Sequence, residues 1–428
     1  MLEKLFELRE RGTSVKIEII AGITTFLSMA YIIFVNPEIL SNAGMPKSAL
    51  VIVTCLATAL ATIMTGLIAK TPIAMAPGMG LNAFFAYSLV IGKKVNWETA
   101  LGIVFISGLV FFILSIIGAR DKIVKSIPSV IVDATSVGIG LFIAFIGFQN
   151  MALVVDHQAT LLCLGKLTTT VLIGLAGLLL IVFLEIKKIK GSILIGIFFS
   201  TVLAIILKQV PMPEKMINLN LEIAQVFLKL DILSALKWSF AGVIFTLMFI
   251  DMFDSIGTIM ACLKEAGLTD EEGNFKKLRI MLVLDAIATM GGALLGTSTT
   301  TSYIESATGI EEGGRTGLSA IVTGILFLVS MPFFPIIAVV PNYATAPALI
   351  VVGLFMIRRV KDVDFSDLES GFPAFLTIML MPLTYSISIG MSFGFISYTF
   401  IKLLRGKLNE ISPILWTITG LAILSLIL

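Results

Sequence analysis

The sequence predicts an all-α polytopic membrane protein of about fourteen transmembrane segments, arranged as two inverted repeats of seven. Three observations predict it. Of 428 residues, 57% are hydrophobic and only 14% are charged, whereas soluble proteins carry about 25% charged residues. Apolar runs approaching the roughly 20 residues of a membrane-crossing helix recur along the chain. Two of the segments are broken by Pro, Gly or Thr, and they lie seven segments apart. A formal charge of +2 without a basic face excludes a nucleic-acid binder. The three cysteines (Cys55, Cys163, Cys262) are scattered, and His157 is the sole histidine. No disulfide framework, metal site or cofactor is expected.

The opening stretch, residues 1–18, is charged and weakly amphipathic and does not read as a cleavable signal. Spans 1 and 2 follow at 19–36 and 49–69. Span 3, at 71–90, is broken, and span 4 covers 99–118. Spans 5, 6 and 7 read at 129–148, 167–186 and 192–207. After a polar stretch, spans 8 and 9 occupy 239–263 and 278–295. Span 10, at 297–311, is the second broken segment. Spans 11 to 14 read at 316–335, 341–357, 372–387 and 389–404. A last apolar run, 411–428, is long enough either to cross the bilayer or to lie along its surface.

Positive charge tests the topology. With the N-terminus cytoplasmic, 22 of the 30 basic residues fall on the cytoplasmic side, as the positive-inside rule requires. They include Arg120, Lys122, Lys125, Lys276, Arg315, Arg358 and Arg359. The repeat has a short sequence trace as well. Pro128 is followed after 12 residues by Gly140-Leu141-Phe142, and Pro341 at the same interval by Gly353-Leu354-Phe355. These are spans 5 and 12, again seven apart. Seven is odd, so the second copy runs the opposite way, a transporter signature.

In span 3, TPIAMAPGMG (71–80) places two prolines and two glycines within ten residues, which no helix continues through. The expectation is an extended piece, then a half-helix from near Asn82. In span 10, TSTTTSY (297–303) is stiff and β-prone. An extended piece should again lead into a short helix, with Glu305 in its first turn. Such backbone is tolerated at membrane depth only where protein or a cavity receives it. Each half-helix also opens with free N–H groups and a positive dipole end.

Span 8 carries two charges near its middle, Asp251 and Asp254 in FIDMFDSIGT. Their spacing of three places them on one helix face, with Thr258 a turn further on. Each costs roughly 2.5–3.5 kcal/mol at the bilayer centre on insertion scales. Glu305 is a third acid at that depth, while Asp285 and Asp133 read as structural. Three acids sharing a pocket, with no cation near the middle of spans 8 or 10, suit proton coupling and an uncharged ligand with N–H donors. Phe84, Phe85 and Tyr303 flank the half-helices and could cover a flat ring. No GxxxxGK[ST] sequence occurs, so uphill transport would draw on an ion gradient.

Four stretches make the chain resemble the nucleobase:cation symporter-2 superfamily, in its branch of adenine/guanine/hypoxanthine permeases. They are EIIAGITTFLSMAYIIFVNP (18–37), TPIAMAPGMGLNAFFAY (71–87), FIDMFDSIGT (249–258) and GTSTTTSYIESATGIEEGGRTG (296–317). The resemblance implies a uracil-permease-like fold. Its core domain would comprise 19–118 and 239–335, and its gate domain 129–207 and 341–404. It also implies a homodimer in the cell membrane and an elevator-like motion of core against gate. The substrate would be a purine nucleobase, carried in with a proton or a sodium ion, and the chain would not be an enzyme. On the same grounds Asp251, Glu305 and Asn82 would hold the purine and Asp254 would be needed for transport; Phe84, Tyr303 and Ser306, beside the half-helices, complete the candidate binding set. The proton would be carried by Asp254, Asp251 or Glu305. One departure stands out: the uracil branch has a histidine one turn after its span 8 glutamate, whereas positions 254 and 255 here are Asp and Ser. Two other classes compete. An anion transporter of the related sulfate-permease group predicts a cation in the site and few acids. An Asp-dependent membrane-embedded transferase needs two Asp-rich motifs and nearby bases.

Overall fold

The computed structural model describes residues 2–117, 128–212, 215–269, 275 and 277–427. Residue 118 at the end of span 4, residue 428 at the end of the last apolar run, and Arg120, Lys122, Lys125 and Lys276 of the orientation argument lie outside them. The described chain is mostly helical, and ten helices are long and apolar enough to cross a membrane. They correspond to spans 1, 2, 4, 5, 6, 8, 9, 11, 12 and 14. Spans 7 and 13 are helices of 15 and 17 residues, Ser192–Ile206 and Leu368–Thr384. At about 1.5 Å per residue, the former reaches only about 22 Å of a hydrocarbon layer about 30 Å thick.

The broken segments form the middle of the molecule. Met75–Pro77 of span 3 pairs antiparallel with Thr300–Ser302 of span 10, in the register Met75↔Ser302, Ala76↔Thr301 and Pro77↔Thr300. All six residues are buried. The ladder continues at both ends, from Gly78 N to Thr299 O at 3.0 Å and from Tyr303 N to Ala74 O at 3.0 Å. Threonines of span 2 satisfy remaining groups: Met75 N donates to Thr62 Oγ1 at 3.0 Å, and Thr65 Oγ1 donates to Ile73 O at 2.7 Å. Extended backbone at this depth is therefore paired inside protein, which is the condition for its being there.

Two details differ from the sequence reading. The span 3 helix begins at Met79, with Gly78 as its cap, and passes into a wider π-turn over Phe84–Gly92. Pro77 is the last residue of the strand, so nothing delays the helix to Asn82. Glu305 occupies the cap position of the helix Ser306–Glu311 instead of its first turn.

The repeat trace becomes a contact. Spans 5 (Ser129–Asn150) and 12 (Asn342–Ile357) cross where Gly140 meets Gly353. A Cβ on Gly140 would lie 2.7 Å from the Gly353 carbonyl oxygen, and one on Gly353 would collide with the Gly140 carbonyl. The two glycines singled out by matched spacing thus pack backbone to backbone. Span 1 is interrupted at Ala30 and Tyr31 between the helices Val15–Met29 and Ile32–Ser41. Its first turn is bound to span 11 by Glu18, a fully buried carboxylate that accepts from Arg315 N, Thr316 N and Ser319 N at 2.8–3.1 Å. A carboxylate there satisfies free N–H groups at a positive helix end.

Outside the spans, an antiparallel hairpin pairs Val154–His157 with Leu161–Leu164. Helical periodicity gives no sign of it. His157 closes its turn, Nδ1 accepting from Ala159 N and Thr160 N at 3.3 and 3.2 Å. The last helix, Pro413–Ile427, is tied to span 14 by the hydroxyl pair Thr399–Thr419 at 2.8 Å.

Candidate functional site

A cavity of about 270 Å³ opens beside the strand pair. One wall comes from Tyr31 of span 1, Gly78–Leu81 of span 3, one face of span 8 and Thr301–Glu305 of span 10. The facing wall comes from span 5 (Val132, Thr135, Ser136, Ile139) and span 12 (Val352, Phe355, Met356, Arg359). Its size approaches the lower end of small-ligand pockets, roughly 300–1,000 Å³.

Glu305 is half-buried on this wall and accepts a hydrogen bond from the Tyr31 hydroxyl. The break in span 1 at Tyr31 is what turns that ring toward span 10. Asp254 is exposed to the cavity and makes no hydrogen bond among the described residues. Tyr303 also lines the cavity, with its hydroxyl donating to Pro77 O at 2.6 Å. Thr258, a turn beyond Asp254, lines it too.

The other sequence candidates lie behind the wall. Asp251 is 1% exposed, and its Oδ2 accepts from Thr289 Oγ1 at 2.9 Å. Three residues along a helix amount to about 300° of rotation, so Asp251 and Asp254 are offset by about 60°. That offset sends one into the packing against span 9 and the other into the cavity. Asn82 is fully buried, donating to Asn36 Oδ1 at 2.7 Å and accepting from the Ser298 hydroxyl. Asn36 in turn donates to Thr54 Oγ1 at 2.7 Å and Thr297 Oγ1 at 3.1 Å. Asn82 therefore knots spans 1, 2, 3 and 10 together away from the cavity. Ser306 Oγ accepts from Ala74 N at 3.0 Å, again inside the knot. Phe84 and Phe85 are buried away from the cavity. Asp285 accepts from Ser255 Oγ at 2.6 Å and is fully buried, and Asp133 faces Arg359 at 3.8 Å.

Sequence reasoning missed two contributions. Three of the cavity's aromatic rings come from spans 8 and 12: Phe249 and Phe253, whose centroids lie 4.6 Å apart, and Phe355. A cation is also present. Arg359, at the end of span 12, lines the cavity against Gly257, where a Cβ would lie 3.1 Å from Nη2. The expectation of a cation-free site looked along spans 8 and 10 and not across to the facing wall. The Pro128/Pro341 spacing, which places spans 5 and 12 together, was the signal that could have found it.

The cavity's lining runs along span 8 as far as Ala261 and along span 12 as far as Arg359. At the opposite end Tyr87 of span 3 stacks edge-on against Phe142 of span 5 and Tyr385, which follows span 13, at 6.2 and 5.8 Å. The Tyr385 hydroxyl donates to Gln149 Oε1, and Ser88 Oγ donates to Tyr385 O at 3.4 Å. Rings and hydroxyls join spans 3, 5 and 13 there. The arrangement offers carboxylate acceptors on one wall, guanidinium donors on the other and flat apolar faces between, which suits a small planar molecule with both donor and acceptor edges.

Comparison with known proteins gives the same frame. The transmembrane domain of the cyanobacterial bicarbonate transporter BicA superposes with a TM-score of 0.63 at 16% identity, covering 86% of this chain and 96% of that one. The murine anion transporter Slc26a9, in its inward-facing state, gives 0.62 at 8% identity, covering 90% and 68%. At such identities the likeness is one of fold alone. In sequence, the adenine permease AdeP of Escherichia coli is 41% identical, covering 100% of this chain and 96% of its own. The guanine/hypoxanthine permease PbuG of Bacillus subtilis is 40% identical, covering 97% of each. A model described as the Permease family matches residues 16–393. With that match and those full-length relatives, this multi-pass membrane protein belongs to the nucleobase:cation symporter-2 family of permeases.

Proposed function

We propose that the chain imports purine nucleobases (hypoxanthine, guanine or adenine) by proton symport. Residues 19–118 and 239–335 act as a core that moves against a gate of 129–207 and 341–404, elevator-fashion, within a homodimer. The N-terminus is cytoplasmic, so the cavity opens inward. The observation that carries the reading is the cavity itself. Asp254 and Glu305 stand on one wall, aromatic rings border it, and spans 5 and 12 face them. Carboxylates accept ring N–H groups, and Phe253 and Phe355 cover the base. Asp254 is the proton carrier, being the acid without a hydrogen-bond partner among the described residues. Asp251 and Asn82 hold the site's shape from behind. Relatives named for adenine and for guanine/hypoxanthine support the substrate class. Arg359 favours a second reading, an anion transporter, but two carboxylates on the same cavity oppose it.

The test is uptake of labelled hypoxanthine, guanine and adenine into proteoliposomes under imposed proton or sodium gradients. Uptake should follow the proton gradient and collapse with a protonophore. Glu305→Gln should lower it at least tenfold. Asp254→Asn should abolish accumulation while leaving exchange of bound base. Absence of uptake for all three purines, or full activity in both variants, would overturn the proposal.

A further inference from the structure

Resting on the purine reading above, we infer that Arg359 selects 6-oxopurines over 6-aminopurines. Arg359 comes from the wall opposite the two carboxylates. Its guanidinium carries five N–H donors and no acceptor, and it makes no hydrogen bond among the described residues. Its ion pair with Asp133 is 3.8 Å long, beyond hydrogen-bond reach, and the side chain is 41% exposed. Asp133 thus orients the charge without consuming its donors. Gly257, a turn beyond Asp254, leaves the room it occupies, since any side chain there would press on Nη2.

A 6-oxopurine presents two adjacent acceptors, O6 and N7, and an arginine fork pairs with both at once. Its N1–H, and in guanine the 2-amino group, are donors on the next edge, where a carboxylate accepts them. The cavity has that polarity, with acceptors on the wall of spans 8 and 10 and donors on span 12. Adenine reverses the first edge. Its 6-amino group is a donor beside N7, so one arm of the fork would face another donor. A donor left facing a donor in this way discriminates between close analogues.

The experiment measures KM and kcat for hypoxanthine, guanine and adenine in proteoliposomes of the full chain and of Arg359→Gln. Glutamine pairs with N6 and N7 of adenine as arginine does with O6 and N7. The native chain should prefer hypoxanthine over adenine by about ten- to a hundredfold in kcat/KM, and the variant should reverse that ratio mainly through KM. In case the variant folds poorly, the native chain is also tested in competition. Unsubstituted purine, which lacks O6, and 7-deazahypoxanthine, which lacks N7, should each displace labelled hypoxanthine at least tenfold less well than hypoxanthine does. Equal use of adenine by the native chain, competition by either analogue as strong as that of hypoxanthine, or an equal loss for all purines in the variant would overturn the inference while leaving purine transport standing. Failure to carry any purine would overturn the underlying reading instead.

Discussion

Asn82 shows how one residue type fits two readings. An asparagine at the start of a half-helix could read a base or fasten a fold, and its neighbours decide which. Here both ends of its amide are committed, to Asn36 and Ser298. Asn82→Ala should lower the thermal unfolding temperature in detergent, because buried partners left unsatisfied cost about 1–3 kcal/mol each. KM for purine should stay within about twofold in the protein that remains folded. A large rise in KM with unchanged stability would return Asn82 to the binding site. Asp251 and Asp254 teach the same lesson. Their intramembrane position was legible because a charge stands out in an apolar run, but which one faces the cavity depends on what packs at each side of the helix. Arg359 was legible as a charge and illegible as a wall residue, because its importance arises across the gap between two spans.

At the scale of elements, the two breaks were readable from chemistry that helices reject, the prolines of span 3 and the threonine run of span 10. Their pairing into a sheet was not, since nothing local specifies a partner more than 200 residues away. The pairing depends on span 2: Thr62 both donates to Met75 O at 2.9 Å and accepts from Met75 N at 3.0 Å. Thr62→Val keeps shape and removes both bonds. It should destabilise by about 1–3 kcal/mol, read as a lower unfolding temperature, and protect Met75 less in hydrogen exchange. The Gly140–Gly353 crossing makes a second prediction. Gly140→Ala inserts a methyl group 2.7 Å from a carbonyl oxygen, so spans 5 and 12 must separate, at about 1–3 kcal/mol for overpacking. Because those spans also form one cavity wall, affinity should fall with stability, and Gly353→Ala should behave alike. The 154–164 hairpin escaped the sequence because its strands are four residues each, too short for an alternating pattern to stand out.

Over the whole molecule, a pH response is expected at the N-terminal end, away from the cavity. Glu7 accepts from Lys70 Nζ and Arg11 Nη2, both at 3.3 Å. Those two hydrogen bonds hold its carboxyl below the ordinary 4.5. A depressed folded value means the link is intact above the unfolded pKa and is lost as pH falls below 4.5 through the folded value. Exchange protection of residues 2–14 should therefore be flat from pH 7 to 5 and drop on further acidification. Glu7→Gln should show low protection throughout. A drop already complete at pH 6 would assign the response to another group.

The strand pair also sets a schedule. Met75 and Ser302 are register partners separated by 227 positions. At roughly 5–20 residues per second of synthesis, the first strand is made about 11 to 45 seconds before its partner. During that interval its three residues lie at membrane depth with their ladder groups unmatched, while Thr62 of span 2 attends to Met75. The nascent first half is thus a temporary client of whatever shields polar backbone during insertion. A ribosome stalled before codon 300 should yield a product that membrane quality control removes much faster than one stalled after codon 311.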